Sequence, residues 1–225
     1  VMLESPVLRQ DAELTAQLTK AVEALEAAGL QVDWDARPDI DQEEAFENYI
    51  TLLRAATGAL TSDEAFESEA EPAARFAAGD RDYRARVGQG VRIRHRDWFR
   101  ADGLRARHRR RWAEFFGNYD LLLCPIAASA AFPHDHEGER ADRTIPVVDA
   151  AGVIHQEPAT DQLFWAGWSC NVYLPGTVAP AGFTASGLPC GIQIVAPHLH
   201  DRRGIAFAGL VEQVLGGYQV PPGCD

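Results

Sequence analysis

Apolar positions recur along this chain at two spacings. Leu14, Leu18, Val22 and Leu25 follow one another at intervals of four, four and three, which puts them on one face of a helix over residues 12–28. Asp11 stands where a helix cap belongs, Glu13 sits in the first turn, and Gly29 follows as a stop. Short apolar runs at residues 1–3 and 30–34 flank this helix and read as strands. Strand, helix, strand predicts a parallel sheet with a covering helix. Asp41 caps a second predicted helix reaching residue 57, with Phe46, Ile50 and Leu53 on one face. Residues 59–88 are weakly patterned, and 64–77 read as a helix with Phe66 and Phe76 inward. Residues 91–117 predict one long helix carrying Trp98, Leu104, Trp112, Phe115 and Phe116 as its apolar stripe. Residues 120–124 then read as a buried strand ending at Pro125.

The period changes in the second half. Residues 127–160 form a long connection broken by Pro133, Pro146 and Pro158, in which 145–148 and 153–155 predict a small hairpin around Ala150-Ala151-Gly152. Connections this long are commonly lids or binding loops. Residues 162–168 regain apolar density as a short helix or turn. Residues 177–181 and 191–196 are β-branched, apolar, and bounded by Gly and Pro, so they predict two buried strands. Pro180 donates no ladder hydrogen bond, which calls for an edge, a bulge or a strand end. Gly182 and Gly187 mark positions where positive φ is needed. Asp201 caps a last predicted helix over 202–215, with Ile205, Phe207, Leu210, Val211 and Val214 as its apolar residues. Gly216-Gly217 ends that helix, and residues 221–223 read as a tail.

Composition narrows the function classes. The 225 residues carry a formal charge of −12, which argues against nucleic acid and against an anionic membrane surface as partners. Nine arginines fall within residues 91–117, and pairing with the acidic remainder is their simplest role. No apolar run approaches the roughly 18 residues needed to span a bilayer, and no signal-peptide pattern is present. Cys124, Cys170, Cys190 and Cys224 lack metal-ligand spacing. The expectation is a soluble cytoplasmic protein.

The run Pro175, then Pro180-Ala181-Gly182, then Gly187-Leu188-Pro189-Cys190-Gly191-Ile192-Gln193-Ile194-Val195 resembles the closing segment of the amidase signature family. Asp120-Leu121-Leu122-Leu123-Cys124-Pro125 resembles that family's step of Asp, apolar strand and Pro. The resemblance is strong after residue 95 and weaker before it. Tyr173 departs from it, because family members often carry Gly two residues before the first Pro. The resemblance implies an α/β/α fold with a mixed central sheet flanked by helices, and hydrolysis of carboxamides by a Ser–Ser–Lys triad.

The triad itself has no place here. It would need a Gly/Ser-rich stretch and a lysine, but Ser5, Ser62, Ser68, Ser129, Ser169 and Ser186 are isolated. Lys20 is the chain's one lysine and lies opposite the apolar face of the first helix. No catalytic residue is therefore assigned. Residues 1–225 are expected to be the C-terminal part of a single amidase domain, beginning within a strand, with an N-terminal half and a small amide substrate as partners. A non-catalytic α/β subunit or small-molecule-binding module is the alternative. The resemblance also implies pocket walls at strand ends. Pro125 and Ile126 follow one such end, and Phe164, Trp165, Trp168 and Tyr173 lead into another, beside Gln162 and Asn171. Ordinary core packing remains the alternative for these aromatics.

Two further stretches resemble sites of their own. Gly167-Trp168-Ser169-Cys170-Asn171 is close to a nucleophile elbow but lacks its closing Gly. His134-Asp135-His136 has metal-like spacing, and an exposed loop tip is the simpler reading. The family's chemistry requires no metal, so neither metal nor cofactor is expected.

Overall fold

A computed structural model describes residues 1–70, 82–138 and 142–220. Seven helices alternate with five strands among them. The order is α1 (Ala12–Ala27), α2 (Gln42–Gly58), α3 (Asp63–Ala70), α4 (Tyr83–Val91), α5 (His95–Phe115), β1 (Leu122–Pro125), β2 (Thr144–Val148), β3 (Ile154–Pro158), α6 (Leu163–Cys170), β4 (Gly176–Phe183), β5 (Pro189–Val195) and α7 (Asp201–Leu215). The remainder of the helix expected over 64–77, Phe76 with it, lies outside the described residues, as do Cys224 and the tail.

One three-stranded sheet, ordered β1-β5-β4, divides the core. Successive side chains of a strand point to opposite faces. Leu123, Ile192, Ile194, Ala179 and Ala181 therefore face α1 and α7, meeting Leu14, Leu18, Val22, Leu25, Phe207 and Val211. Leu122, Cys124 and Val195 face the other way, onto Phe46, Ile50, Trp112, Phe164, Trp165 and Trp168 of α2, α5 and α6. This is the expected α/β layering. All strand pairs among the described residues are antiparallel. The expected parallel βαβ unit is reduced to two extended segments that form no ladder. Residues 1–3 touch β1 through one bond, Met2 N to Leu123 O at 3.0 Å, and Val1 N donates to Asp33 O at 2.7 Å.

Local chemistry explains the element ends. Asp11 Oδ1 accepts from Leu14 N at 3.0 Å and caps α1. Its second oxygen accepts from Val148 N at 3.0 Å, so the same carboxylate ties the β2–β3 hairpin to the helix start. Asp41 caps α2 through Glu44 N. Asp201 does not cap α7. His200 occupies that position without a side-chain bond, and Asp201 is the first helical residue. Pro180 meets two of the conditions its chemistry requires, since β4 is an edge strand and a bulge falls between Pro180 and Gly182.

The helix expected over 91–117 is two helices. Arg92 closes α4 and Arg94 is extended at ψ 144° before α5 begins. Five of the nine arginines form ion pairs, mostly with carboxylates of α5 itself. Arg94 and Arg100 hold Asp97, Arg105 holds Asp102, Arg92 holds Glu67, and Arg111 reaches Asp39 and Glu114. Most of these pairs are exposed, and each contributes about 0–1 kcal/mol.

Candidate functional site

Residues 126–129 leave the buried end of β1 and are fastened from two sides. Gln10, just before α1, donates from Nε2 to Ala127 O at 3.1 Å, and Asp11 N donates to Ala128 O at 2.9 Å. From the start of α6, Gln162 Oε1 accepts from Ala128 N at 3.2 Å while its Nε2 donates to Ser129 Oγ at 2.9 Å. Trp165 Nε1 donates to Gln10 Oε1 at 2.8 Å, which locks Gln10 in turn. Gln193 of β5 completes the set. It sits opposite Cys124 in the ladder, and its buried amide donates to Cys124 Sγ and to Trp165 O, each at 3.2 Å. The glutamine of the Gly-Leu-Pro-Cys-Gly-Ile-Gln run thus joins β1, β5 and α6 at one point.

The six residues singled out as pocket walls fall into separate places. Pro125 is buried at the end of β1, and Ile126 is 37% exposed on the fastened loop. Phe164 and Trp168 lie four apart on α6 and so share a face. Together with Ile40, Phe46, His108 and Trp112 they line a crevice with an empty volume of about 300 Å³, its open mouth included. Aromatic edges close its walls, with Phe46–Phe164 centroids 5.5 Å apart and Trp112–Trp168 5.4 Å. Trp165 follows Phe164 by one residue, about 100° around the helix. It points toward Gln10 instead and is fully buried. Tyr173 is 47% exposed, with φ +61°. Arg105 and Arg109 lie over its ring at 4.8 and 5.1 Å. Asn171 turns to α2, donating to Asn48 Oδ1 at 3.0 Å, so it and Gln162 brace the surroundings of the crevice.

Two titratable groups near these elements were not singled out in the sequence. His108 is buried on α5, with Nε2 3.3 Å from Glu44 Oε1. Burial pushes its pKa below the ordinary value, although Glu44 pulls the other way. A signal existed, because His108 stands four and seven residues before Trp112 and Phe115 on the same stripe. Asp161 precedes α6, and burial raises its carboxyl to about 6, with Glu157 adding to the rise and Arg86 opposing it. Glu157 is four residues away in the chain, whereas only the fold brings Arg86 beside it.

The other candidates take plain positions. Ser169 is buried, and among the described residues its Oγ reaches only Ala166 O, at 3.4 Å. Cys124 is fully buried, and its thiol is pushed up to about 12. His134 and His136 are exposed, with ring centroids 5.6 Å apart. Among the described residues no group of three or more His, Cys, Asp or Glu is arranged to hold a metal ion. Nor is any helix among them long and apolar enough to cross a membrane. A much larger cleft, about 1710 Å³ on the same measure, lies elsewhere. It runs between residues 29–36, residues 115–123 and α7, with Leu30, Val32, Leu121, Leu123, Phe207 and Leu210 in its walls.

Known proteins resemble the chain as follows. A family-wide sequence model described as Amidase matches residues 1–204. An acylamidase of Rhodococcus erythropolis is 34% identical over 115 residues, covering 51% of this chain and 22% of that protein. A bacterial aryl acylamidase of the amidase signature family superposes with a TM-score of 0.66 at 18% identity, over 95% of this chain and 42% of that one. A second crystal structure, of an amidase, gives 0.69 at 21% identity, over 92% and 43%. At these identities the structural likeness establishes the fold. The chain spans about two-fifths of the solved chains it matches.

Proposed function

The chain belongs to the amidase family, and we propose that residues 1–225 are the C-terminal part of a single amidase domain that hydrolyses the C–N bond of a carboxamide. In this reading the Ser–Ser–Lys triad is supplied by an N-terminal portion outside this sequence, in the cytoplasm. This chain supplies the walls of the substrate pocket. The observation that carries the reading is the family match over residues 1–204 in a chain whose one lysine, Lys20, stands exposed on α1.

Each pocket residue then has a physical task. Phe164 and Trp168 bury the apolar arm of the amide, at about 25 cal/mol for each Å² removed from water. Trp165, Pro125 and Ile126 set the position of the loop at the end of β1, which Gln10, Gln162 and Gln193 hold rigid. Tyr173, covered by Arg105 and Arg109, forms an outer wall. The substrate class that suits such walls is a small, partly apolar amide. The large cleft beside β1, where Leu30, Val32, Leu121 and Phe207 stand among Asp33, Asn118, Asp120 and Arg203, supports the need for a partner, since a broad surface of mixed apolar and polar groups suits a protein interface.

The test is direct. Residues 1–225 are purified and assayed on a panel of aryl and aliphatic amides, alone and co-expressed with the N-terminal portion. Without base and nucleophile the rate falls by roughly six orders of magnitude, by analogy with other serine hydrolases. The expected result is no turnover alone, and both solubility and hydrolysis on co-expression. Turnover by a monodisperse monomer that survives Lys20→Ala would place the active site elsewhere and overturn the reading.

A further inference from the structure

The cleft beside β1 has a stretch of backbone along each side and Val1 at one end. Residues 29–33 form one wall, and Tyr119, Asp120, Leu121 and Leu123 form the other. Residues 1–3 bond to both. Val1 N donates to Asp33 O at 2.7 Å, and Met2 N donates to Leu123 O at 3.0 Å. Along an extended chain the backbone groups alternate in direction. Gln31, two residues before Asp33, and Leu121, two before Leu123, therefore turn their backbone groups toward the cleft. The side chains agree with this alternation. Leu30, Val32, Trp34, Leu121 and Leu123 all pack into the core formed with α1 and α7, while Gln31 and Asp33 are exposed.

The two bonds are thus single rungs of ladders whose walls run on past Val1. The four positions 29–32 measure about 13 Å at roughly 3.3 Å per extended residue. The cleft's empty volume of about 1710 Å³ leaves room for several side chains. Residues 1–3 set what a continuation would face. Val1 and Leu3 turn toward α1 and α7, and Met2 turns the other way, toward Trp112 and Phe115 of α5. The next place along the cleft faces Phe115 and Tyr119, and the one beyond it faces Leu30, Val32, Phe207 and Leu210. An ammonium group suits the place of Val1 N poorly. Burial, and Arg37 after it, push its pKa below the ordinary value. A peptide N–H there keeps the bond to Asp33 O and carries no charge.

We propose that the cleft holds one strand of the N-terminal portion, made of the residues that lead into Val1 and running parallel to both walls. The residue just before Val1 donates its N–H to Leu121 O. The second residue before Val1 donates to Gln31 O and accepts from Asp33 N, and its side chain is apolar, against Leu30, Val32, Phe207 and Leu210. Residues 30–34 then become a ladder strand, and the sheet β1-β5-β4 grows to five strands. The inference rests on the reading that such a portion exists, and it names the joint through which that portion docks.

The experiment is amide hydrogen exchange on the full-length protein, N-terminal portion included. The amides of Gln31 and Asp33 are each expected to exchange at least roughly a hundred-fold more slowly than in an unstructured chain, as ladder amides do. Proline as the second residue before Val1 deletes the N–H aimed at Gln31 O. It is expected to speed both amides roughly three- to ten-fold, the range for one net hydrogen bond. Valine at the same place keeps an N–H and an apolar side chain, and is expected to leave both slow. Free exchange at Gln31 or Asp33 in the unaltered protein overturns the proposal, and that measurement needs no variant to fold. Exchange that proline leaves unchanged overturns it as well. Amide turnover enters neither readout. A protein that hydrolyses amides while Gln31 and Asp33 exchange freely loses the docking strand and keeps the hydrolase reading, and slow exchange without turnover does the reverse.

Discussion

Trp165 and Trp168 stand three residues apart on α6, both buried, and replacing each by Phe separates two roles that a sequence reading treats alike. Each substitution removes the same atoms, so the shared loss of ring volume cancels in the comparison. What differs is the indole N–H. At Trp165 it donates to Gln10 Oε1 at 2.8 Å, and its removal leaves that oxygen unmatched, at a cost of about 1–3 kcal/mol. Gln10 also holds Ala127 O, so the loss extends to the loop after β1. At Trp168 the N–H has no partner on the described protein, and its removal costs nothing of this kind. Trp165→Phe is therefore expected to be less stable than Trp168→Phe by about 1–3 kcal/mol, or several degrees in Tm at roughly 2–4 °C per kcal/mol for a chain of this size. Urea titration of both variants, with m unchanged, gives the difference. In the reconstituted enzyme, Trp168→Phe is expected to raise KM more than it lowers stability. Equal losses within about 0.5 kcal/mol, or a larger loss at Trp168, would refute the assignment of Trp165 as a brace and Trp168 as a wall.

Asp161 makes stability depend on pH in the direction opposite to an ordinary carboxylate. Its folded pKa is raised to about 6 from 3.8, so its protonated form supports the fold below pH 4 and that support is lost as pH climbs through 6. Asp161→Asn is expected to raise Tm at pH 7.5 and to have little effect at pH 4; a gain of equal size at both values would argue against it. Gly90 lies where a Cβ would meet Arg54 Cβ at 2.5 Å and Thr51 O at 3.2 Å. Gly90→Ala should therefore pry α4 from α2 at a cost of about 1–3 kcal/mol, and an unchanged denaturation midpoint would show that the helices slide freely. Changing His134 and His136 together to Ala should leave stability within about 0.5 kcal/mol, as for surface residues. A stoichiometric metal in the purified protein, lost in that double variant, would contradict this.

Much of this fold was legible from the chain alone, because local rules decide local structure. The stripe of Leu14, Leu18, Val22 and Leu25, the caps at Asp11 and Asp41, and the Gly/Pro boundaries of β4 and β5 each follow from periodicity or from one residue's backbone chemistry. The β2–β3 hairpin around Gly152 is of the same kind. The Gly-Leu-Pro-Cys-Gly-Ile-Gln run indicated the family without any coordinates. Tertiary structure decided what each functional side chain faces. Phe164, Trp165 and Trp168 look equivalent as apolar letters, yet one step around α6 sends Trp165 to Gln10 and the other two into the crevice. His108 comes to share that crevice with Trp168 from sixty positions away, and Asp161 acquires its raised pKa from burial, with Glu157 close by. Strand pairing also lay beyond a sequence reading. Residues 1–3 and 30–34 carry strand-like composition, but a strand exists only where a neighbour offers a ladder, and in the described structure those segments find single bonds. Side-chain spacing along a chain is a one-dimensional fact. Burial, an unmatched hydrogen bond and a displaced pKa are sums over neighbours that only the packed structure brings together.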